Sequence, residues 1–129
     1  MISKRNVNDE DVPWRSGAYH VAARYRELAV GAGGRIQYVE VEVGGRILPH
    51  APKQEQVWFC LDGEGSFIVD NEETTCRSGD CLAAPRNSVR GVVNQGTAPL
   101  RLLIVQARGN GWNPLSLLSL VRRRVKRNP

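Results

Sequence analysis

Between Ala18 and Gln106 the apolar residues recur at every second position, in short runs cut by glycine, asparagine and proline, and never at the 3.6-residue period of a helix. In "YHVAARY", Tyr19, Val21, Ala23 and Tyr25 alternate with His20, Ala22 and Arg24. In "RIQYVEVEV", Val39, Val41 and Val43 stand opposite Glu40 and Glu42. Each run is a strand with one apolar face. "GAGG" and Gly44-Gly45 flank the second strand, "DGEG" separates "QVWFCL" from "SFIVD", and "NEE" follows "FIVD", so two hairpins are expected there. "CLAAP", "SVRGVVN" and "PLRLLIVQA" complete the series. Many short strands with no crossover helix imply an all-β fold, an antiparallel sandwich or barrel.

A single helix is expected after this region. In "NPLSLLSLVRRRV", Asn113 is placed as N-cap and Pro114 at the first helical position. Leu117, Leu118, Val121 and Val125 share a stripe there, and the arginines fall in the last turns. The chain therefore divides into an N-terminal segment (1–17), a barrel (18–107), and a loop with a short amphipathic C-terminal helix (108–129).

At 129 residues the chain suits one domain with its own core. Its first residues, "MISKRNVNDEDVPW", are charged throughout and unlike a secretory signal, and no run approaches the roughly 20 apolar residues of a membrane helix. A soluble, cytoplasmic protein is expected. Cys60, Cys76 and Cys81 are an odd number without CxxC spacing, which suits small buried thiols in a reducing compartment. The net charge of +5 is local: Arg122, Arg123, Arg124, Lys126 and Arg127 leave 13 of the 18 basic residues against 13 acidic ones. This basic end suggests nucleic acid or an anionic membrane surface only weakly, because no aromatic is interleaved and no recognition motif accompanies it.

Two segments resemble a known family. "GGRILPHAPKQEQVWFCLDGEG" resembles the first cupin motif, in which a glycine, a histidine pair, a further histidine or glutamate and a closing glycine keep fixed spacings. "GDCLAAPRNSVRGVVN" resembles the second, with Gly79, Pro85, Asn87 where glycine is usual, Arg90 at the histidine position and Asn94 closing. The resemblance covers roughly residues 5 to 107. It implies a double-stranded β-helix, the cupin jelly-roll barrel, commonly found as a homodimer.

The family's metal-ligand positions fall on His50, Pro52, Gln56 and Arg90. Proline has no donor side chain, a neutral amide is a weak ligand, and guanidinium is a permanent cation. No metal and no cofactor are therefore expected, and a rebuilt site of His50, Gln56 and Cys60 would have the arginine's charge against it. If Arg90 faces the barrel interior, its charge calls for an anion. That anion is either an internal carboxylate, with Glu40, Glu42 and Glu55 as candidates, or the carboxylate or phosphate of a small ligand. The ligand-binding residues expected are His50, Gln56, Trp58, Cys60 and Arg90, with Tyr25 and Tyr38 lining either the pocket or a dimer seam. The functional expectation is a small-molecule-binding cupin with the family metal site lost and a pocket suited to an anionic ligand. Two alternatives stand beside it: a metal-dependent cupin enzyme, dioxygenase-like or isomerase-like, with a rebuilt ligand set, and an interaction protein acting through the basic helix. No catalytic residue is assigned.

Overall fold

The structure, a computed structural model, describes residues 2–107. The expected C-terminal helix and the basic residues Arg122 to Arg127 lie outside the described residues. Eight strands follow one another: β1 (His20–Gly31), β2 (Gly34–His50), β3 (Gln56–Asp62), β4 (Glu64–Val69), β5 (Glu72–Arg77), β6 (Cys81–Ala84), β7 (Arg90–Val93) and β8 (Leu100–Ala107). All pairings are antiparallel, in the order β5-β4-β7-β2-β8-β3-β6, with β1 alongside β2. The expected all-β jelly-roll barrel is thus what the chain forms.

The long strand β2 belongs to both halves of the barrel. Its residues 34–41 pair with β8, whereas Arg46, Ile47 and His50 pair with β7. The change of partner falls at Gly44-Gly45, where Gly44 has φ +78 and a Cβ on Gly45 would come within 2.5 Å of the Ala22 carbonyl. Asn94 holds this bend. Its backbone exchanges hydrogen bonds with Gly44 and Gly45, and its buried Nδ2 donates to the carbonyls of Val41 and Ala98, both at 2.9 Å. The closing asparagine of the second motif is therefore the clamp on a strand fifty residues earlier.

Two local expectations change and one holds. β3 and β4 do not form a hairpin: Gly63 (φ +88) carries the chain from β3, which pairs with β6 and β8, to β4, which pairs with β5 and β7. The hairpin at "NEE" forms as expected, between β4 and β5. In β1 the alternation breaks at Ala22 (φ +48), where the register shifts; His20 pairs with buried Ile47 and Val21 with exposed Arg46. A bulge exchanges the faces of the residues before it. His20 therefore lies with Ala23 and Tyr25 on the inner face, and Val21 turns outward.

The core is the shared interior. Val39, Val41, Ile47, Trp58, Cys60, Phe67, Cys76, Ala84, Val92, Leu100, Leu102 and Ile104 form one buried cluster. Tyr38, on the opposite face of β2, is also buried because the N-terminal segment crosses it. Trp14 lies 5.9 Å from the Tyr38 ring, with the guanidinium groups of Arg24 and Arg26 at 3.8 and 4.1 Å from the Trp14 ring. Arg26 donates to the Val12 and Val7 carbonyls, which fastens that segment. Tyr38 thus does not line the interior; it lies on the outside of the barrel, covered by Trp14. Among the described residues no helix is long and apolar enough to cross a membrane.

Replacing Asn94 by alanine takes the donor from the buried Val41 carbonyl and from the partly buried one of Ala98, and should lower stability by about 2 kcal/mol, read as a fall in the urea midpoint at unchanged slope.

Candidate functional site

The inner face of the β1-β2-β8-β3 sheet changes character along its length, as the register shows row by row. Leu100 stands beside Val41, and Val41 beside Ala23. In the next inward-facing row Leu102 stands between Val39 and Cys60, then Ile104 between Gln37 and Trp58, and last Gln106 between Arg35 and Gln56. One end of the barrel is therefore apolar and the other polar. The half-buried groups at the polar end define the candidate site.

Trp58, Gln56 and Cys60 face the interior, two apart on β3 as strand geometry requires. Trp58 Nε1 donates to Gln56 Oε1 at 2.9 Å, and Gln56 Nε2 donates to Gln106 Oε1 at 2.7 Å. Cys60 belongs to the apolar rows. Its thiol points at the Asp62 and Gly63 carbonyls, and burial holds its pKa above the ordinary thiol value, which argues against a nucleophile. Cys76 is pushed up to about 12 by burial, and all three cysteines are free thiols.

His50 reaches the inner face through a second bulge. The register shifts between Ile47 and His50, so both lie on the barrel side, with His50 opposite Arg90 on β7. Its ring stacks on Tyr19 at 4.3 Å, and its Nδ1 lies 2.9 Å from the Leu48 carbonyl.

Arg90 is fully buried, yet none of the expected carboxylates meets it. Glu40 lies outside the barrel with Arg24, Arg101 and Tyr38; Glu42 is exposed; and Glu55 accepts from the Ala107 amide through its own carbonyl. The guanidinium turns to backbone oxygens instead. Nε donates to Ser88 at 3.2 Å, Nη1 to Gln54 at 3.1 Å, and Nη2 to Pro85 at 2.5 Å, to Pro52 at 3.5 Å and to the Ser88 hydroxyl at 3.1 Å. Burial lowers its pKa to about 10, and Asp70 works in the opposite sense, so it stays charged at neutral pH. Arg90 thus joins the β2–β3 loop to the β6–β7 loop, where Asn87 (φ +63) also donates its amide to Pro52. The left-handed backbone at Asn87 explains a motif position where glycine is usual.

Several site residues escape sequence reasoning. His20, brought inward by the bulge at Ala22, sets its ring edge-on to Tyr25 at 5.7 Å and accepts the Gly17 amide at Nδ1. Burial, and then neighbouring His50, lower its pKa. Arg35 forks onto Glu27, with Nε 3.2 Å from Oε2 and Nη2 on Oε1, and lies within hydrogen-bonding reach of Tyr25. Gln37 and Gln106 complete the set. The signal available in the sequence was parity: Arg35 and Gln37 are four and two residues before Val39 and share its face.

A divalent metal of the kind the family resemblance implies would draw on positions 50, 52, 56 and 90. His50 is the one imidazole, Pro52 gives its carbonyl to Arg90, the Gln56 amide is engaged at both ends, and the last position is a cation. Among the described residues no three His, Cys, Asp or Glu side chains gather as an ion would need. The donor set does not fit the group.

Two outcomes test this geometry. Arg90→Met leaves the loop carbonyls without donors and should cost about 3 kcal/mol in urea unfolding; Arg90→Lys, with three donors on a single nitrogen, should fall between. His20 resists protonation in the fold, whereas the unfolded chain takes up the proton near 6.5, so its contribution is present above that value and lost as pH falls through it. The melting temperature should drop less between about pH 7.5 and about pH 5.5 in His20→Asn than in wild type; equal drops would contradict the buried, neutral imidazole.

Comparison with known proteins agrees with this architecture. A family profile described as "Cupin domain" matches residues 37–106. An uncharacterized protein of Methanocaldococcus jannaschii is 31% identical over 64 residues, which is 49% of this chain and 51% of that protein; the match thus spans about half of the relative's length. An RmlC-like cupin from Shewanella frigidimarina superposes with a TM-score of 0.70 at 17% identity, covering 83% of this chain and 93% of that one. The polyketide cyclase RemF from Streptomyces resistomycificus gives 0.69 at 21% identity over 83% and 80% of the two chains. A cupin-superfamily sugar phosphate isomerase from Silicibacter pomeroyi gives 0.70 at 20% identity over 81% and 76%. At these identities the likeness is one of fold, and with the profile match over more than half of its length the chain belongs to the cupin superfamily.

Proposed function

We propose that this chain is a small-molecule-binding cupin whose ligand enters the polar end of the barrel and is held without the family metal. The observation that carries the reading is the row Gln56, Gln106 and Arg35, followed by Gln37 and flanked by His20, His50 and Tyr25, at the end of an otherwise apolar interior. Half-buried polar side chains converging on one concave face are what orient a small organic molecule. Two of the structural neighbours are described as a polyketide cyclase and a sugar phosphate isomerase, which supports a small organic ligand in its broad form.

The anion-binding part of the expectation moves from Arg90 to Arg35. Arg90 is enclosed by its carbonyls, whereas the Arg35 side chain is 36% exposed. Its charge is shared with Glu27, so an anionic ligand there competes with an existing ion pair. His50 and Gln56 remain ligand contacts in this reading, with Trp58 as the wall behind them.

A thermal-shift screen of sugar phosphates, short carboxylates and neutral cyclic metabolites tests it. A stabilising compound should keep its effect after chelator treatment and lose it in His50→Ala and Gln56→Ala. Stoichiometric iron, zinc, manganese or nickel in the purified protein, absent from His50→Ala, would overturn the metal-free reading.

A further inference from the structure

The hydrogen-bond chain at the polar end has a direction. An indole N–H donates and accepts nothing, so Trp58 obliges Gln56 to turn its carbonyl oxygen inward. Gln56 is left with its amide nitrogen for Gln106, and Gln106 must meet it with oxygen. Each amide orientation follows from the one before. What remains at the outer end is the Gln106 Nε2 group, whose hydrogens have no acceptor among the described residues. Its register neighbour Arg35 shares that face, with Cβ atoms about 5 Å apart in such a pair, and guanidinium too is a donor only. Arg35 spends Nε and one Nη2 hydrogen on Glu27 and lies within reach of the Tyr25 hydroxyl, and its guanidinium presents further N–H donors on the face it shares with Gln106.

We infer that the polar end recognises its ligand through a carbonyl-type acceptor oxygen, a carboxylate or an amide, received between the Gln106 amide nitrogen and the Arg35 guanidinium. The inference rests on the small-molecule reading above and gives that site its polarity. Trp58 is here a positioning residue: it touches the ligand's partner group only through Gln56. An amine or ammonium at the same place would meet donors on both sides and leave them unpaired, a mismatch that discriminates strongly in a desolvated site.

The test compares matched probes by NMR of the 15N-labelled protein: benzoate and benzamide as acceptors, benzylamine as the donor counterpart. Benzoate and benzamide should shift the Gln106 side-chain amide resonances, with benzylamine binding about tenfold or more weakly. Comparing benzoate with benzamide shows whether the oxygen is charged or neutral, and either supports the inference. Gln106→Glu keeps an oxygen for Gln56 while replacing the outer donor by an acceptor of the same shape, and should reverse the preference. Trp58→Phe keeps an apolar ring in the core but frees the amides to turn, and should erase the preference without abolishing binding. Should Trp58→Phe fail to fold, the Gln106→Glu reversal decides alone. If both probe classes bind wild type equally, or Gln106→Glu leaves their order unchanged, the inference is wrong while the small-molecule reading stands. If no probe and no compound of the metabolite screen binds, the small-molecule reading falls and takes the inference with it.

Discussion

A buried guanidinium surrounded by carbonyl oxygens holds the open end of this barrel together. Taking the Arg90 charge out of water costs several kcal/mol even after relaxation, and among the described residues no carboxylate pairs with it directly, Asp70 acting only through its field. The compensation is directional: donors at three nitrogens reach backbone oxygens at Pro52, Gln54, Pro85 and Ser88. A carboxylate would cancel charge more efficiently, but it would fix one side chain. The carbonyls fix two loops, the one joining β2 to β3 and the one joining β6 to β7. His50 and Gln56 stand at the two ends of the first of these loops, so the geometry of the site follows from the arginine even though the arginine is not exposed to it.

The fold places its carboxylates accordingly. Glu40 is spent outside, where Tyr38, Arg24 and Arg101 gather around it beneath the strap formed by Val12 and Trp14. Glu27 faces the interior and is matched by Arg35. The polar end therefore carries charge without a large net field, and hydrogen-bond geometry rather than long-range attraction decides what binds there. The apolar rows below it, from Ile104 to Leu100, hold the two halves of the barrel together by burial and need no part in recognition.

How much of this was legible depends on where period-two alternation survives. Strands β2, β3 and β8 could be read, because Val39 and Val41, or Trp58 and Cys60, alternate without interruption; with the cupin motifs they led to the barrel and to the inward placement of Trp58 and Gln56. Bulges defeat such reading. The one at Ala22 moved His20 inside while parity had put Val21 there, and alanine gives no composition cue for a positive φ. "DGEG" has the turn residues of a hairpin and serves instead to carry the chain between sheets, which depends on partners distant in sequence. For Arg90 the sequence reading took an inward position only as a condition, and sought its partners among carboxylates and ligands. Backbone carbonyls are chemically present at every residue, so no pattern of letters marks the few that a loop will aim at a cation.

Sequence reading also separates too sharply the residues that pack from those that recognise. Trp58 is among the most buried side chains in the chain and looks like core by every measure of burial. Its single polar atom is nevertheless a donor with no capacity to accept, and in a dry interior an amide cannot afford to face it wrongly. The constraint passes to Gln56 and from Gln56 to Gln106, and reaches half-buried surface as a fixed preference for donating. A phenylalanine at 58 would keep an aromatic ring there, though a smaller one, and leave both glutamines free to rotate. The hydrophobic contribution of the residue and its chemical contribution to the site are therefore separable, and the second rests on one N–H group.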